Sequence, residues 1–140
     1  MKVQKIKAGG GVPFRYNHGK TEVLLIFRRG IWDLPKGKKE DHETFNECAV
    51  REVMEEIGAS EVELSKQLID TYHEYRQNEI NYGKTTRWFA MKIMDNESGL
   101  QPQKEEQIEE LEWCTLGQAK KLVGFPNLQD VLEDFGNKML

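Results

Sequence analysis

The sequence predicts an α/β fold with a mixed sheet, and three observations lead to this class. The first half of the chain contains short apolar or alternating segments that are typical of strands. Residues 44–57 have a helical period, and two more helical segments end the chain. Because 140 residues is the usual length of one domain, we expect residues 1–140 to form a single domain.

The first half of the chain is expected to be mainly β-structure. Residues 3–7 and 12–16 have strand patterns, and the three glycines at 9–11 between them should let the backbone bend. Asn-His-Gly-Lys at 17–20 favours a hairpin turn into a strand over 21–29. The apolar centre of that strand predicts burial on both faces.

The second half combines helices with further strands. A loop is expected over 30–41, followed by a helix over 44–57 that Gly58 should end. The later elements are extended segments at 61–64, 67–76, 85–94 and 110–114, a polar connection holding Asn81 and Gly83, a polar stretch over 95–107, and helices at 116–123 and 128–135. Within the strands, we interpret Trp88 and Tyr72 as core residues.

Composition excludes several classes of function. With 38% hydrophobic and 31% charged residues, the chain has the composition of an ordinary globular protein, not of a disordered one. No apolar run approaches the roughly 20 residues that cross a bilayer, and the first residues have no apolar signal segment, so we expect no membrane contact and a cytoplasmic location. Cys48 and Cys114 lack metal-binding spacing and are interpreted as buried hydrophobes.

The charge distribution is more informative than the net charge of −4. The acidic balance argues against general nucleic-acid binding, which needs a basic surface. Residues 28–39 carry five cations and one anion, whereas residues 40–61 carry eight anions and one cation. A basic loop therefore leads directly into an acidic helix.

Three glutamates of this helix share one face. Helical geometry places Glu52, Glu55 and Glu56 within about 100° of arc, where like charges repel. Arg51 is four residues from Glu47 and from Glu55, so local pairing should leave Glu52 and Glu56 uncompensated. Such a patch is either a solvated charged face or a site for a hard cation such as Mg²⁺ or Mn²⁺, which take oxygen ligands.

Residues 37–59 read GKKEDHETFNECAVREVMEEIGA, and this segment resembles the signature box of the Nudix hydrolases. That box reads glycine, five residues, glutamate, seven residues, Arg-Glu, an aliphatic residue, any residue, Glu-Glu, any residue, glycine and an aliphatic residue. The specified positions are occupied here by Gly37, Glu43, Arg51, Glu52, Val53, Glu55, Glu56 and Gly58. Ala59 at the closing position is smaller than the usual Ile, Leu or Val.

The resemblance implies a Nudix-type α/β/α sandwich and a metal-dependent hydrolase. Its implied reaction is hydrolysis of a diphosphate linkage in a nucleoside diphosphate joined to another group. The implied metal, Mg²⁺ with Mn²⁺ as a substitute, would be held by the Gly37 carbonyl, Glu52, Glu55 and Glu56. By position, Glu52 is the first choice for the base or for a carboxylate that bridges metals.

Two further assignments follow from the same resemblance. Glu43 and Arg51 correspond to the structural pair of the box, in which the glutamate ties the loop to the helix. A further catalytic carboxylate is expected before the last strand, and the candidates are Glu105, Glu106, Glu109 and Glu110. We prefer Glu106, because the position before Ile108 holds Gln107 where relatives often carry glutamate.

Candidate substrate-binding residues come from the basic loop and from an aromatic residue. Arg28, Lys36 and Lys38 are candidate phosphate contacts, alongside Arg29 and Lys39, although exposed solubilising charges would have the same pattern. Lys36 stands out because Leu-Pro-Lys-Gly at 34–37 resembles the approach to the box in dinucleoside polyphosphate and diphosphoinositol polyphosphate hydrolases. Tyr75 flanks a polar connection and could contact substrate, whereas the three histidines receive no role.

The substrate class stays open between several alternatives. A nucleoside or dinucleoside polyphosphate is the leading candidate, followed by ADP-ribose and diphosphoinositol polyphosphates. A Nudix-fold domain that senses a nucleotide without cleaving it is the alternative from another class, although its box glutamates are usually eroded and these are intact. The sequence does not decide whether the chain forms a homodimer.

Overall fold

The computed structural model describes residues 2–94 and 99–140. The strands are β1 (Gln4–Asn17), β2 (Lys20–Arg28), β3 (Ile31–Asp33), β4 (Lys36–Lys38), β5 (Val62–Gln77), β6 (Ile80–Ile93) and β7 (Ile108–Thr115). The helices are α1 (Phe45–Ile57), α2 (Leu116–Leu122) and α3 (Pro126–Met139). The main path of the sheet runs β3-β2-β1-β6-β5, with β4 paired to β1 and β7 paired to β2. Because β1 and β6 are parallel and the other pairs are antiparallel, the predicted mixed sheet is confirmed.

Helices cover both faces of this sheet. On β2, Val23 and Leu25 belong to the apolar cluster under α2 and α3, whereas Leu24 and Ile26 belong to the cluster under α1. All four side chains are at most 1% exposed, as the prediction of a strand buried on both faces requires. The expected α/β/α sandwich is therefore the observed architecture.

Helix α1 has clear start and stop signals. Thr44 caps it, since the Thr44 hydroxyl accepts from the Glu47 backbone N–H while the Glu47 carboxylate accepts from the Thr44 N–H. At the other end, Gly58 adopts the left-handed conformation with φ of 68°. These two caps fix the length of the helix and therefore the positions of its glutamates.

The glycine triplet has a different role from the one expected. Gly9, Gly10 and Gly11 lie inside the continuous strand β1 and do not divide it. A Cβ at Gly9 would be 2.8 Å from the Ala49 backbone nitrogen, and one at Gly11 would be 3.0 Å from the Val53 side chain. Gly9 and Gly11 are thus required because α1 packs directly on the strand, whereas a Cβ at Gly10 would be 2.7 Å from the Lys36 side chain and from the Pro35 carbonyl. The prediction of a bend was wrong.

The β5–β6 ribbon is longer than the sequence predicted. Its turn lies at Asn78 and Glu79, which both have positive φ, while Asn81 and Gly83 lie within β6. A Cβ at Gly83 would be 2.3 Å from the Tyr72 hydroxyl, so this glycine marks a close approach and not a turn. Tyr72 is 53% exposed, which contradicts its interpretation as a core residue, whereas Trp88 is buried as expected.

Short regular elements lie within the two segments that the sequence predicted as loops. The loop predicted over 30–41 contains the short strands β3 and β4. The polar stretch predicted over 95–107 includes 95–98, which lie outside the described residues, and its later part contains a 3₁₀ helix at Lys104–Glu106. Both cysteines are free and buried, as predicted. Among the described residues, no helix has the length and apolar character needed to span a membrane.

Candidate active site

A cavity of about 710 Å³ brings α1, the basic loop and the β5–β6 ribbon together. This volume is in the range of small-molecule sites and exceeds the space that a single phosphate needs. The cavity is lined by Arg28, Arg29, Ile31, Asp33, Lys36, Gly37, Lys38, Glu52, Glu56, Thr71, His73, Lys84, Thr86, Trp88, Glu106, Phe125, Pro126, Asn127 and Leu128. It therefore contains most, but not all, of the side chains that the sequence nominated.

Glu56 is the most deeply buried carboxylate of the cavity, at 2% exposed. Its Oε1 accepts from the Lys36 backbone N–H at 3.2 Å, and its Oε2 lies 3.6 Å from Nη1 of Arg28. Burial raises the pKa of Glu56 to about 8, although Arg28 and Lys36 act in the opposite direction. The cavity thus holds a buried carboxyl group whose ionised form an additional cation, such as a metal ion, would stabilise.

Glu52 lies one turn before Glu56 on the same helix face, and we call these two residues the acidic wall. The Glu52 carboxylate fills the space beside Gly37, where an added Cβ would be 2.0 Å from its atoms. Burial raises its pKa, and the charges of Glu55 and Glu106 act in the same direction, against the lowering effect of Arg51. Glycine is thus required at position 37, because a side chain there would clash with the Glu52 carboxylate. The Gly37 carbonyl accepts from the Cys48 thiol at 3.4 Å.

Arg51 connects the box loop to α1. Its Nη2 lies 2.6 Å from Oε1 of Glu43, and its Nε donates to Oε2 of the same carboxylate at 3.0 Å. This bidentate contact, through its hydrogen bonds, lowers the pKa of Glu43 to about 2. Arg51 Nη1 also lies 2.6 Å from Glu52 and 3.7 Å from Glu55. The prediction that local pairing leaves the charge of Glu52 uncompensated was therefore wrong, because Arg51, its neighbour in sequence, forms an ion pair with it.

Glu55 is placed apart from the acidic wall. Its side chain is 47% exposed and does not line the cavity. Helix periodicity correctly placed Glu55 next to Glu52 and Glu56 around the helix axis. It could not show that, of these three carboxylates, only Glu52 and Glu56 line the cavity.

The basic loop reaches the cavity through an ion-pair network that the sequence analysis missed. Arg28 lies 3.6 Å from Glu56 and 3.7 Å from Asp33, and Lys36 Nζ lies 3.4 Å from the same Asp33 carboxylate. The Lys38 side chain lines the cavity, while its backbone carbonyl accepts from Arg51 at 3.2 Å. Asp33 thus positions Arg28 and Lys36, and its place as the single anion among five cations of the loop was the available signal.

Residues of the β5–β6 ribbon form the remaining polar surface, which we call the ribbon floor and define as Thr71, His73, Lys84 and Thr86. Thr71 pairs with Thr86, and His73 with Lys84, across the two strands. Burial lowers the pKa of Lys84, and Lys36 and Arg28 add to this effect. Lys84 and Thr86 share a strand face with the buried Trp88, because the three residues are spaced two apart, and this spacing was a signal that the face points inward.

Tyr75 lies beyond the ribbon floor and outside the cavity lining. Its ring stacks on His73 at 5.4 Å and on Tyr82 at 5.2 Å between centroids. The Lys84 ammonium is 5.5 Å from the Tyr75 centroid. Tyr75 therefore touches two residues of the floor without reaching the cavity itself.

Glu106 reaches the cavity because the segment before β7 is tied to the end of α1. The Gln101 and Gln103 N–H groups donate to the Ile57 and Glu56 carbonyls at 2.9 and 3.2 Å. Glu106 follows in the 3₁₀ helix and lines the cavity. Of the four carboxylates considered for this role, Glu106 lines the cavity, whereas Glu105, Glu109 and Glu110 do not.

The donor set fits a hard divalent cation in type. Within residues 2–94 and 99–140, no three Asp, Glu, His or Cys side chains are gathered as a metal-binding group, and Glu52 and Glu56 are turned towards different arginines. However, both carboxylates have raised pKa values because burial disfavours their charge. An added cation would stabilise the charged form of these buried carboxylates, and Mg²⁺ and Mn²⁺ take carboxylate oxygens as ligands.

The chain belongs to the Nudix family, since the NUDIX domain model matches residues 8–135. It is 31% identical over 143 residues to the Arabidopsis thaliana protein named Nudix hydrolase 12, mitochondrial. That match covers 96% of this chain and 66% of the relative, so the chain spans just under two thirds of the relative's length.

Solved structures show the same fold. A C. elegans Ap4A hydrolase, solved as a binary complex, superimposes with a TM-score of 0.76 at 23% identity, covering 94% of this chain and 96% of that one. The NUDIX domain of Shewanella oneidensis NrtR, complexed with ADP ribose, gives 0.73 at 20% identity, covering 100% and 91%. At these identities the likeness establishes the fold alone.

Proposed function

We propose that this protein hydrolyses a diphosphate linkage in a nucleoside diphosphate joined to another group, in a reaction that requires Mg²⁺. The observation that carries the proposal is the cavity that joins the acidic wall to the cations of the basic loop and the ribbon floor. A diphosphate needs both, because its oxygens can be neutralised by a metal from one side and by Lys or Arg from the other.

Glu52 and Glu56 are the residues that would hold the metal, with Glu55 joining them from its exposed position outside the cavity lining. When bound, a divalent cation neutralises charge on the phosphates and makes water more acidic. Glu52 would then give up its contact with Arg51, whose remaining contact with Glu43 keeps the guanidinium in place. Mn²⁺, which also prefers oxygen ligands, is the expected substitute.

The protein's own residues would divide the remaining tasks. Glu52, or Glu106 across the cavity, accepts a proton from the attacking water as its oxygen bonds to phosphorus. The P–O bond to the leaving phosphate breaks, and the electron pair stays on the leaving oxygen. Arg28, Lys36 and Lys84 stabilise the negative charge on the phosphates.

Nucleoside and dinucleoside polyphosphates are the preferred substrates. The similar C. elegans protein is an Ap4A hydrolase, and the similar NrtR domain was solved with ADP ribose. Ap4A and ADP ribose each contain a nucleoside diphosphate joined to a second group. ADP-ribose and diphosphoinositol polyphosphates are therefore included as alternatives in the test.

The test is a hydrolysis panel in Mg²⁺ with products separated by ion-exchange chromatography. It contains nucleoside triphosphates, dinucleoside polyphosphates, ADP-ribose and diphosphoinositol polyphosphates. We expect cleavage of at least one nucleotide, its loss in EDTA, and its restoration by Mn²⁺. The proposal fails if no compound is cleaved, and a melting temperature that still rises with one nucleotide would indicate a sensor without hydrolytic activity.

A further inference from the structure

Thr71 of the ribbon floor makes a hydrogen bond whose direction is fixed by chemistry. The Trp88 indole Nε1–H donates to the Thr71 hydroxyl oxygen at 2.9 Å. An indole nitrogen can only donate, whereas a hydroxyl has one hydrogen to donate and two lone pairs that accept. Thr71 therefore accepts from Trp88, and its own hydroxyl hydrogen points elsewhere.

This hydroxyl hydrogen is directed towards the cavity. Thr71 is partly buried and lines the cavity. Within residues 2–94 and 99–140, Trp88 is the one partner with which the Thr71 hydroxyl forms a hydrogen bond. A hydroxyl that already accepts from a fixed donor and faces a cavity offers a hydrogen to whatever binds there.

The indole that sets this direction is itself held in place. Trp88 is 1% exposed. Its ring packs across Gly10 of β1, where an added Cβ would be 2.8 Å from the ring and 2.7 Å from the Lys36 side chain. A buried ring that is packed in this way has little freedom to turn away from Thr71. The orientation of the hydroxyl is thus built into the fold.

The cations of the same cavity indicate which ligand atom would accept this hydrogen. Arg28, Lys36 and Lys84 line the cavity with Thr71, and none of these three side chains can accept a hydrogen bond. A ligand beside them must offer several acceptors. The non-bridging oxygens of a diphosphate only accept, whereas a sugar hydroxyl also brings a hydrogen that needs an acceptor of its own. Phosphate oxygens therefore match this side of the cavity.

We propose that Thr71 is a substrate-binding residue whose hydroxyl, held by the Trp88 indole, donates to a non-bridging phosphate oxygen of the diphosphate. Trp88 is then a positioning residue, because it acts through Thr71 and not on the substrate. The inference rests on the proposed function and deepens it by adding a neutral donor to the cations. A hydroxyl contact has a fixed direction, whereas a lysine ammonium binds phosphate as a point charge.

The experiment measures the binding of methylenediphosphonate by calorimetry in Mg²⁺. This probe is a diphosphate whose bridging oxygen is replaced by carbon, so it resists hydrolysis, and it has no sugar or base. Thr71→Val keeps the branched shape and removes the hydroxyl. It should weaken binding about tenfold, which is typical of a lost hydrogen bond to a charged group. Thr71→Ser keeps the hydroxyl and should stay within about twofold of the wild type.

A double variant separates contact with the substrate from support of the indole. In Thr71→Val the buried indole N–H loses its acceptor, which lowers stability, whereas Trp88→Phe removes that donor. Trp88→Phe alone should weaken binding about threefold, because the hydroxyl stays but loses its orientation. Adding Thr71→Val to Trp88→Phe should bring the loss to about tenfold. If the hydroxyl served only the indole, this second substitution would change nothing.

Thr85→Val is the matched control for the loss of a threonine hydroxyl. Thr85 precedes Thr86 on β6, so its side chain points to the opposite face of the sheet, and it does not line the cavity. Its affinity for the probe should equal that of the wild type.

Three results would overturn the inference. These are no binding of the probe by the wild type, wild-type affinity in Thr71→Val, and equal affinity in Trp88→Phe and the double variant. Cleavage of a nucleotide by a protein with any of these results would leave the proposed function standing. Conversely, Thr71-dependent binding in a protein that cleaves nothing in the panel would refute the proposed function and leave the contact standing.

Discussion

The acidic wall and the ribbon floor are two sides of one cavity that are built in opposite ways. Glu52 and Glu56 of the acidic wall stand one turn apart on a single helix, so helix geometry alone brings them together. The ribbon floor instead depends on the strand register that sets Thr71 opposite Thr86 and His73 opposite Lys84. One side is thus encoded locally, and the other requires two strands to pair correctly.

Their electrostatics differ as well. Each carboxylate of the acidic wall already has an arginine partner, and burial nevertheless raises the pKa of both. In the ribbon floor, partial burial and nearby cations lower the pKa values of His73 and Lys84. One side of the cavity therefore favours an added cation and the other an added anion, and a metal-bound diphosphate would provide both.

The greatest loss of activity is predicted for a substitution in the acidic wall. Glu56→Gln keeps the side-chain volume but removes the charge that would hold the metal, so kcat/KM should fall about 10³-fold. Steady-state hydrolysis at saturating Mg²⁺ measures the loss. Glu133→Gln, an exposed position on α3, is the control and should leave the rate unchanged. Retained kcat in the Glu56 variant would contradict its assignment as a metal ligand.

The next effect concerns the Glu43–Arg51 pair that supports the acidic wall. Glu43→Gln should lower the free energy of unfolding at pH 7 by about 2 kcal/mol, because it weakens a bidentate, charge-assisted contact. The folded-state pKa of Glu43 is lowered to about 2, below the ordinary value of 4.5. Its stabilising contribution is therefore present above pH 4.5 and is lost as the pH falls towards 2.

Urea unfolding at several pH values measures this contribution. The difference between the wild type and Glu43→Gln should shrink steadily below pH 4.5. Glu63→Gln, on an exposed position of β5, should show no comparable difference. A stability gap that stays constant from pH 7 to pH 3 would argue against the ion pair as its source.

A smaller loss of activity, through a higher KM, is predicted for a substitution in the ribbon floor. Lys84→Met keeps the length of the side chain and removes its charge, so the KM for a polyphosphate substrate should rise about tenfold with little change in kcat. Lys92→Met is a control on the same strand, where the ammonium lies over the Tyr16 ring and not in the cavity. An unchanged KM for Lys84→Met would remove the ribbon floor from the phosphate site.

The smallest effect is expected at Tyr75. Because its ring stacks on His73 and Tyr82 outside the cavity, Tyr75→Leu should raise KM by less than about twofold, or about 0.4 kcal/mol. The same assay as for Lys84 measures it. A rise of tenfold or more would instead put Tyr75 in contact with the substrate, as the sequence analysis expected.

The sequence predicted the α/β fold class and the helix α1, because each depends on a local period or on a cap such as Thr44 or Gly58. The mixed sheet was also predicted, but its parallel β1–β6 pair is fixed by strand pairing and not by a local pattern. It misjudged the glycines at 9–11, which are required by the close packing of α1 on Gly9 and Gly11 and of the Pro35–Lys36 segment on Gly10. It also misplaced the β5–β6 turn, since Asn78 and Glu79 are weaker turn signals than the nearby Gly83. The single domain over residues 1–140 and the cytoplasmic location stay predictions, and the formation of a homodimer stays undecided.

By itself, the sequence determined that a basic loop enters an acidic helix and that this helix carries the Nudix box. Both are contiguous patterns, and a helix converts spacing along the chain directly into position in space. Tertiary structure alone decided that Glu55 lies outside the cavity lining, that Asp33 joins Arg28 to Lys36, and that residues as distant as Lys84 and Phe125 line one cavity. Strand pairing and loop packing bring those residues together, because their distance along the chain has no fixed relation to their distance in space.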